Sequence, residues 1–221
     1  MQSNLLFQTI IYSIKSKIMK YLNIILFAIL LFAMTILSYA NDKIIIDSDM
    51  AFIDAISGTT APQNIIDNLI IVNVQYYSFD NKLHQGQLVI HKDVKNDIIE
   101  LFDLIKNTKF PIAKVIPIVK YNWNDSISMA DNNTSAFNYR NVDGTKSLSK
   151  HSFGKAIDIN PMQNPYKSKA GIISPRKATY NKNKSGTLTS DSKIVTFLLS
   201  RGWEWGGNYK SIKDWQHFSI D

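Results

Sequence analysis

Two short segments, far apart in the chain, constrain it more than anything else: Ser149-Lys150-His151-Ser152-Phe153-Gly154-Lys155-Ala156-Ile157-Asp158-Ile159-Asn160-Pro161 and Asp214-Trp215-Gln216-His217. Together they hold two imidazoles and a carboxylate, the protein ligands a catalytic Zn²⁺ takes when its fourth position stays open for water. The run Ala156 to Asn160 alternates. That predicts a short strand with Ile157 and Ile159 on one face and Ala156, Asp158 and Asn160 on the other, so that Asp158 looks away from the core its neighbours fill. Gly154, lacking a Cβ, lets the backbone bend between His151 and that strand and return the imidazole towards the carboxylate. Asp214 and His217, three apart, would face opposite sides of a straight strand, so a turn is expected between them. With that turn, His217 becomes the third ligand and Asp214 a base beside the metal.

Ser149, His151, Gly154, Ala156 and Asp158 reproduce the Ser-x-His-x-x-Gly-x-Ala-x-Asp signature of the M15 zinc peptidases, and Asp214-x-x-His217 resembles the second motif of that family. The family comprises D-alanyl-D-alanine carboxypeptidases, D,D-dipeptidases and L-alanyl-D-glutamate peptidases, and the resemblance runs from about Tyr76 to Phe218. It implies a hedgehog-like D,D-peptidase fold, one Zn²⁺ on His151, Asp158 and His217, and Asp214 as general base. Many members carry Glu where this chain has Asp214. The shorter side chain resembles some L-alanyl-D-glutamate peptidases and leaves the choice of bond open. Arg140 stands where carboxypeptidases and dipeptidases of the family have an arginine upstream of the first ligand, and a guanidinium can hold a substrate carboxylate through two parallel hydrogen bonds. Ser149 is a candidate for bonding a ligand or substrate, with turn chemistry as the alternative. The other two histidines, His84 and His91, are read as solvent-facing or locally bonded.

The first 40 residues have a different character. Lys15, Lys17 and Lys20 precede the apolar run Leu22 to Leu37, and Ser38-Tyr39-Ala40 closes it with small residues at the first and third positions, the layout of a secretory signal cleaved after Ala40. Met19-Lys20 is a more usual start, which would make residues 1–18 an upstream extension. The alternative is an uncleaved anchor, although the run is shorter than the roughly 20 residues a spanning helix needs. The chain has no cysteine, which excludes disulfides, thiolate zinc ligands and lipid attachment at a cysteine. Export without disulfides fits a bacterial envelope protein, periplasmic or secreted. The net charge of +7 includes the three lysines of the first 40 residues, so the remainder carries 22 basic against 18 acidic groups. Such a mild balance suits an anionic polymer such as cell wall. It gives no reason to expect nucleic acid, since no arginine-rich or aromatic-basic cluster is present.

Residues 41–69 read as an N-terminal arm or linker with a β-prone Ile44-Ile45-Ile46, and 70–221 as one peptidase domain. Ile70 to Tyr77 and Gln85 to His91 are the strands of a hairpin about Asp80-Asn81. Asp93 to Ile105 has the spacing of an amphipathic helix with Asp93 as its cap. Ala113 to Tyr121 reads as a buried strand broken at Pro117. Asn122 to Gly144 reads as a long irregular stretch in which Asn132 to Asn138 line the cleft. Met162 to Asp191 reads as a surface excursion, and Ser192 to Ser200 as a short helix stopped by Gly202. Trp203, Trp205 and Trp215 are placed to wall the second motif. Non-repeating strands and helices favour an α+β domain with a small, largely antiparallel sheet.

The expected function is hydrolysis of cell-wall stem peptides by a monomer that meets the membrane only through its signal segment. Removal of a terminal D-alanine is preferred, with an L-alanyl-D-glutamate endopeptidase as runner-up. A non-catalytic zinc-stabilised wall-binding module is the alternative from another class, and such a module would have no need of Asp214. A nuclease is disfavoured by the single-zinc spacing and the weak basic character.

Overall fold

The computed structural model describes residues 2–39 and 43–221, with side chains for 10–32 and 43–221. The chain divides into two units at Lys43/Ile44. The first contains one helix, α1 (Gln2–Tyr39), in a stretch free of Gly and Pro, so nothing interrupts it. Ile24, Ile25, Leu26 and Phe27 are all exposed, so this part of the helix has no polar face. Among the described residues no helix is long and apolar enough to cross a membrane. The expected cleavage position, Ala40, lies outside the described residues.

The second unit runs in the order β1 (Ile45–Ile46), α2 (Phe52–Ala55), α3 (Gln63–Ile66), β2 (Leu69–Tyr77), β3 (Leu83–His91), α4 (Lys95–Thr108), β4 (Lys114–Val115), α5 (Asp125–Ala130) and β5 (Asn133–Thr134), then β6 (Ala156–Asp158), β7 (Tyr166–Lys167), β8 (Ile173–Ser174), α6 (Lys193–Ser200), β9 (Glu204–Trp205), β10 (Lys213–Asp214) and β11 (His217–Ser219). Four small sheets result: β1-β3-β2, β10-β7-β8, β6-β11-β9 and β4-β5. Pairing is antiparallel except for β1 with β3 and β4 with β5. This is an α+β arrangement.

The β2–β3 hairpin is the floor of the fold. Val72, Val74 and Tyr76 recur at every second residue and, with Leu88 and Ile90, meet the buried stripe Ile98, Leu101, Phe102 and Ile105 of α4. The opposite face of the hairpin buries Leu69 and Val89 against Ala55, Ile56, Ile65 and Phe137. The arm is thus packed on the hairpin. Asp47 N–H donates to Gln85 O at 2.8 Å, and the buried Gln87 amide takes Ser48 Oγ and Met50 N–H at 2.8 and 2.7 Å. The strand that carries Asp158 joins the same core as α4: Ile157, Ile159 and Phe218 are fully buried with Ile194, Val195 and Leu198 of α6 and with Trp203 and Trp205.

Several local expectations need correction. Asp93 caps nothing; it lies in a 3₁₀ turn, Lys92–Val94, whose cap is the His91 ring accepting from Asp93 N–H at 3.2 Å. The apolar run after Pro111 is a strand only over Lys114–Val115. Pro117, which has no N–H for a ladder, then starts a 3₁₀ turn over Ile118–Tyr121. The stretch 122–144 is ordered locally by α5, whose cap is Asn124 Oδ1 accepting from Ile127 N–H at 3.0 Å. Asp158 does look away from Ile157, but into a second buried layer and not to the surface, being 3% exposed.

Candidate metal centre

Register places the second and third candidate ligands side by side. Strands β6 and β11 pair with His217 opposite Asp158 and Phe218 opposite Ile157, so the apolar pair fills the core while the ligand pair faces the other way. His151 arrives on a 3₁₀ turn, Lys150–Phe153, whose cap is Ser149 Oγ accepting from His151 N–H at 3.3 Å. Gly154 ends that turn at φ 67°. A Cβ there would lie 2.5 Å from His91 N and 2.8 Å from Ile90 C, so the glycine permits both the left-handed bend and the close approach to β3. The segment from Ser135 braces the turn: Ser135 and Asp158 exchange backbone hydrogen bonds of 3.1 and 2.9 Å, and Asn138 N–H donates to His151 O at 3.1 Å.

The three ligand atoms converge. His151 Nε2 lies 3.1 Å from His217 Nδ1 and 3.3 Å from Asp158 Oδ1, and His217 Nδ1 lies 3.0 Å from Asp158 Oδ1. His151 and Asp158 are buried and His217 is partly so. His151 Nδ1 faces Ala136 O at 2.5 Å and donates to it, which leaves the Nε2 lone pair pointing inward. A tetrahedral ion with ligands at about 2.0–2.1 Å needs ligand atoms about 3.3 Å apart. The donor set and its spacing therefore fit a single Zn²⁺. Electrostatics agree. Burial alone would raise Asp158, but the two imidazoles overcome it and hold the carboxyl well below its usual range. Burial opposes protonation of His151, and Asp158 more than offsets it. In both cases the cluster favours a positive charge at its centre.

Asp214 ends β10 and is in register with Tyr166, so it belongs to a different sheet from His217, and the chain turns through Trp215-Gln216 between them. Gly206 makes room, since a Cβ there would collide with the Asp214 backbone. Asp214 Oδ1 is buried without a hydrogen-bond partner. Burial, then the Asp158 charge, push its pKa up to about 6. A buried carboxylate with an unengaged oxygen and a raised pKa is suited to taking up and releasing a proton.

Arg140 is tied to the His151 turn through its backbone, its N–H donating to Ser152 Oγ at 2.9 Å and its O accepting from Ser149 N–H at 3.0 Å. Its Nη2 lies 2.9 Å from Asp125 Oδ2, Nη1 donates to Asn141 O at 3.3 Å, and Nε is buried without a partner. Ser149 serves as the cap of the turn. Asp125 and Gln216 are the residues that sequence reasoning missed. Asp125 is raised by burial, with Arg140 opposing, and also senses Asp158 and His151. Gln216 is 3% exposed, with Nε2 3.3 Å from Met129 Sδ and Oε1 unpartnered. The pair Asn124-Asp125 ahead of Ile127 was a readable helix start; nothing marked Gln216 except its place in the motif. The tryptophans divide. Trp203 and Trp205 are core, while Trp215 stacks on Tyr180 at 3.9 Å and accepts at its carbonyl from Trp205 Nε1–H. His84 and His91 take no part in this centre.

The segment 143–220 matches the M15 peptidase family model described as D-alanyl-D-alanine carboxypeptidase. The matched segment contains all three candidate ligands and Asp214 and begins three residues after Arg140, so the resemblance from Tyr76 to Val142 lies outside it. No curated protein and no solved structure matches the chain.

Proposed function

We propose that this chain, whose match over 143–220 supports membership of the M15 peptidases, hydrolyses the stem peptides of bacterial peptidoglycan with one Zn²⁺ on His151, Asp158 and His217, releasing a terminal D-alanine. The observation that carries the reading is the convergence of those three ligand atoms, together with Asp214, a buried carboxyl that senses the charges of Asp158, His217 and His151 and whose Oδ1 has no partner. When bound there, zinc supplies Lewis-acid polarisation of the scissile carbonyl and lowers the pKa of water. Asp214 takes the proton of the attacking water on Oδ1 and returns it to the leaving amine. The Arg140 guanidinium, held by Asp125, binds the substrate carboxylate, and Ser149 acts through the turn that aims His151. Export of a monomer by the segment ending at Ala40 completes the reading.

A second reading is favoured by one observation. Asp125 already occupies Nη2 of Arg140, so less of the guanidinium remains for a terminal carboxylate. An L-alanyl-D-glutamate endopeptidase needs no such clamp, and the short Asp214 suits it. Digestion of muropeptides by the zinc-loaded protein separates the two: free D-alanine supports the carboxypeptidase, a new D-glutamate amino terminus the endopeptidase. If neither product forms while Asp214→Ala binds wall as well as the parent, the protein is a zinc-stabilised binding module and the peptidase reading fails.

A further inference from the structure

A pocket of about 330 Å³ opens between the C-terminal end of α4, the 184–187 loop and the start of α6, and none of its lining residues belongs to the metal centre. Lys109, Lys184 and Lys193 line it, and no acidic residue does. Among the described residues no ion pair engages these lysines; Lys109 lies 5.1 Å over the Tyr77 ring. The N-terminus of α6, capped by Ser192, adds the unpaired N–H groups and positive dipole end that favour an anion. A separate observation points to a ligand. Thr187 lines the pocket at 7% exposure, and its Oγ1 is buried without a hydrogen-bond partner. A buried hydroxyl left unmatched is costly unless something supplies its partner.

The pocket is also braced. The fully buried Asn160 amide donates to Pro111 O at 2.8 Å on one wall and to Gly186 O at 3.2 Å on the other, and its Oδ1 accepts from Ala113 N–H at 3.0 Å. Asn164 Nδ2 donates to the same Gly186 O at 3.0 Å. Both walls are therefore pinned to a residue two positions beyond Asp158, and the pocket keeps its shape without a ligand.

We propose that this pocket binds a phosphate group, presented either as the free ion or as the phosphodiester of a polyol-phosphate chain. Three ammonium groups, hydroxyls of Thr187, Ser185 and Ser192, and a helix N-terminus provide more positive charge and more donors than one carboxylate can use. A phosphate has the oxygens to meet them.

The test is titration of the full, zinc-loaded chain with sodium phosphate and with a glycerol-phosphate oligomer, at ionic strength held constant with chloride, followed by NMR or calorimetry. At least one probe binds saturably. Lys184→Ala with Lys193→Ala weakens it about tenfold, the loss of charge-assisted hydrogen bonds. Thr187→Val weakens it several-fold with no fall in thermal midpoint, because the hydroxyl it removes has no partner within the protein. Tighter binding of the oligomer per phosphate assigns the site to a polymer, and equal binding assigns it to the free ion. Saturable binding of neither probe overturns the proposal, as does binding that survives Thr187→Val unchanged; that variant keeps the test valid should the double lysine variant fail to fold.

Discussion

Among the described residues, two clusters that join histidine to aspartate behave differently. In one, His151, Asp158 and His217 point three atoms at a common centre, 3.0 to 3.3 Å apart. In the other, His84 divides its nitrogens between two carboxylates, with Nδ1 3.0 Å from Asp47 Oδ2 and Nε2 3.3 Å from Asp80 Oδ1. Tyr76 donates its hydroxyl to Asp47 and stacks on the His84 ring at 5.8 Å. The first cluster converges and is shaped for a cation; the second diverges and stitches the N-terminal arm to the hairpin. The residue types are the same, so the difference lies in backbone placement. Antiparallel register sets His217 opposite Asp158, whereas His84 is in register with Ile45 and Tyr76 and meets its carboxylates from opposite sides.

That contrast can be broken most severely by truncating a ligand. His217→Ala should lose zinc and lower peptide hydrolysis to the level of a chelated control, measured by metal analysis and muropeptide release. Asp214→Asn should keep its zinc and lose about 10²–10⁴-fold in turnover. Because Asp214 must be ionised to act and burial pushes its pKa up to about 6, activity should rise with pH up to or below that value, the bound cation drawing it down. In the zinc-free protein the sign for stability is the reverse. The unfolded carboxyl ionises near 3.8 and the folded one near 6, so stability falls between those values and then levels. Asp214→Asn should remove that cost and gain up to about 3 kcal/mol at neutral pH in chemical denaturation.

Smaller effects are expected at Asp125 and His84. Asp125→Ala leaves Arg140 without its carboxylate and should change KM about tenfold with little change in zinc content. The direction is informative: a lower KM for peptides with a free carboxyl terminus means that Asp125 competes with substrate, and a higher KM means that it positions the guanidinium. His84→Ala should cost about 1–3 kcal/mol of stability in denaturant, since it leaves Asp47 with the Tyr76 hydroxyl as its remaining side-chain partner, while zinc content and turnover per folded molecule stay unchanged.

The clustering of His151, Asp158 and His217 was legible because a metal site would demand those residue types and because Gly154 announces a bend at φ 67°, a conformation that favours glycine. The hairpin was legible from its β-prone residues and the Asp80-Asn81 turn, and α6 from its periodicity, since one face of that helix is buried. What escaped was set by long-range contacts. Period 2 in Ala156–Asn160 reported two faces, but it could not report that the second face is also covered. Asp125 meets Arg140 across 15 positions and Gln216 meets Met129 across 87, and no local pattern encodes either pairing. Lys114–Val115 was over-read as part of a longer strand because apolar content signals burial and not the partner that makes a ladder.

Metal content of the purified protein, measured for the parent and for His151→Ala, Asp158→Ala, His217→Ala and His84→Ala, decides whether the converging side chains hold a single zinc. One zinc per folded chain is expected in the parent and in His84→Ala, and its loss in each of the other three. A folded parent that takes up no zinc, or zinc retained in full after His217→Ala, would contradict it.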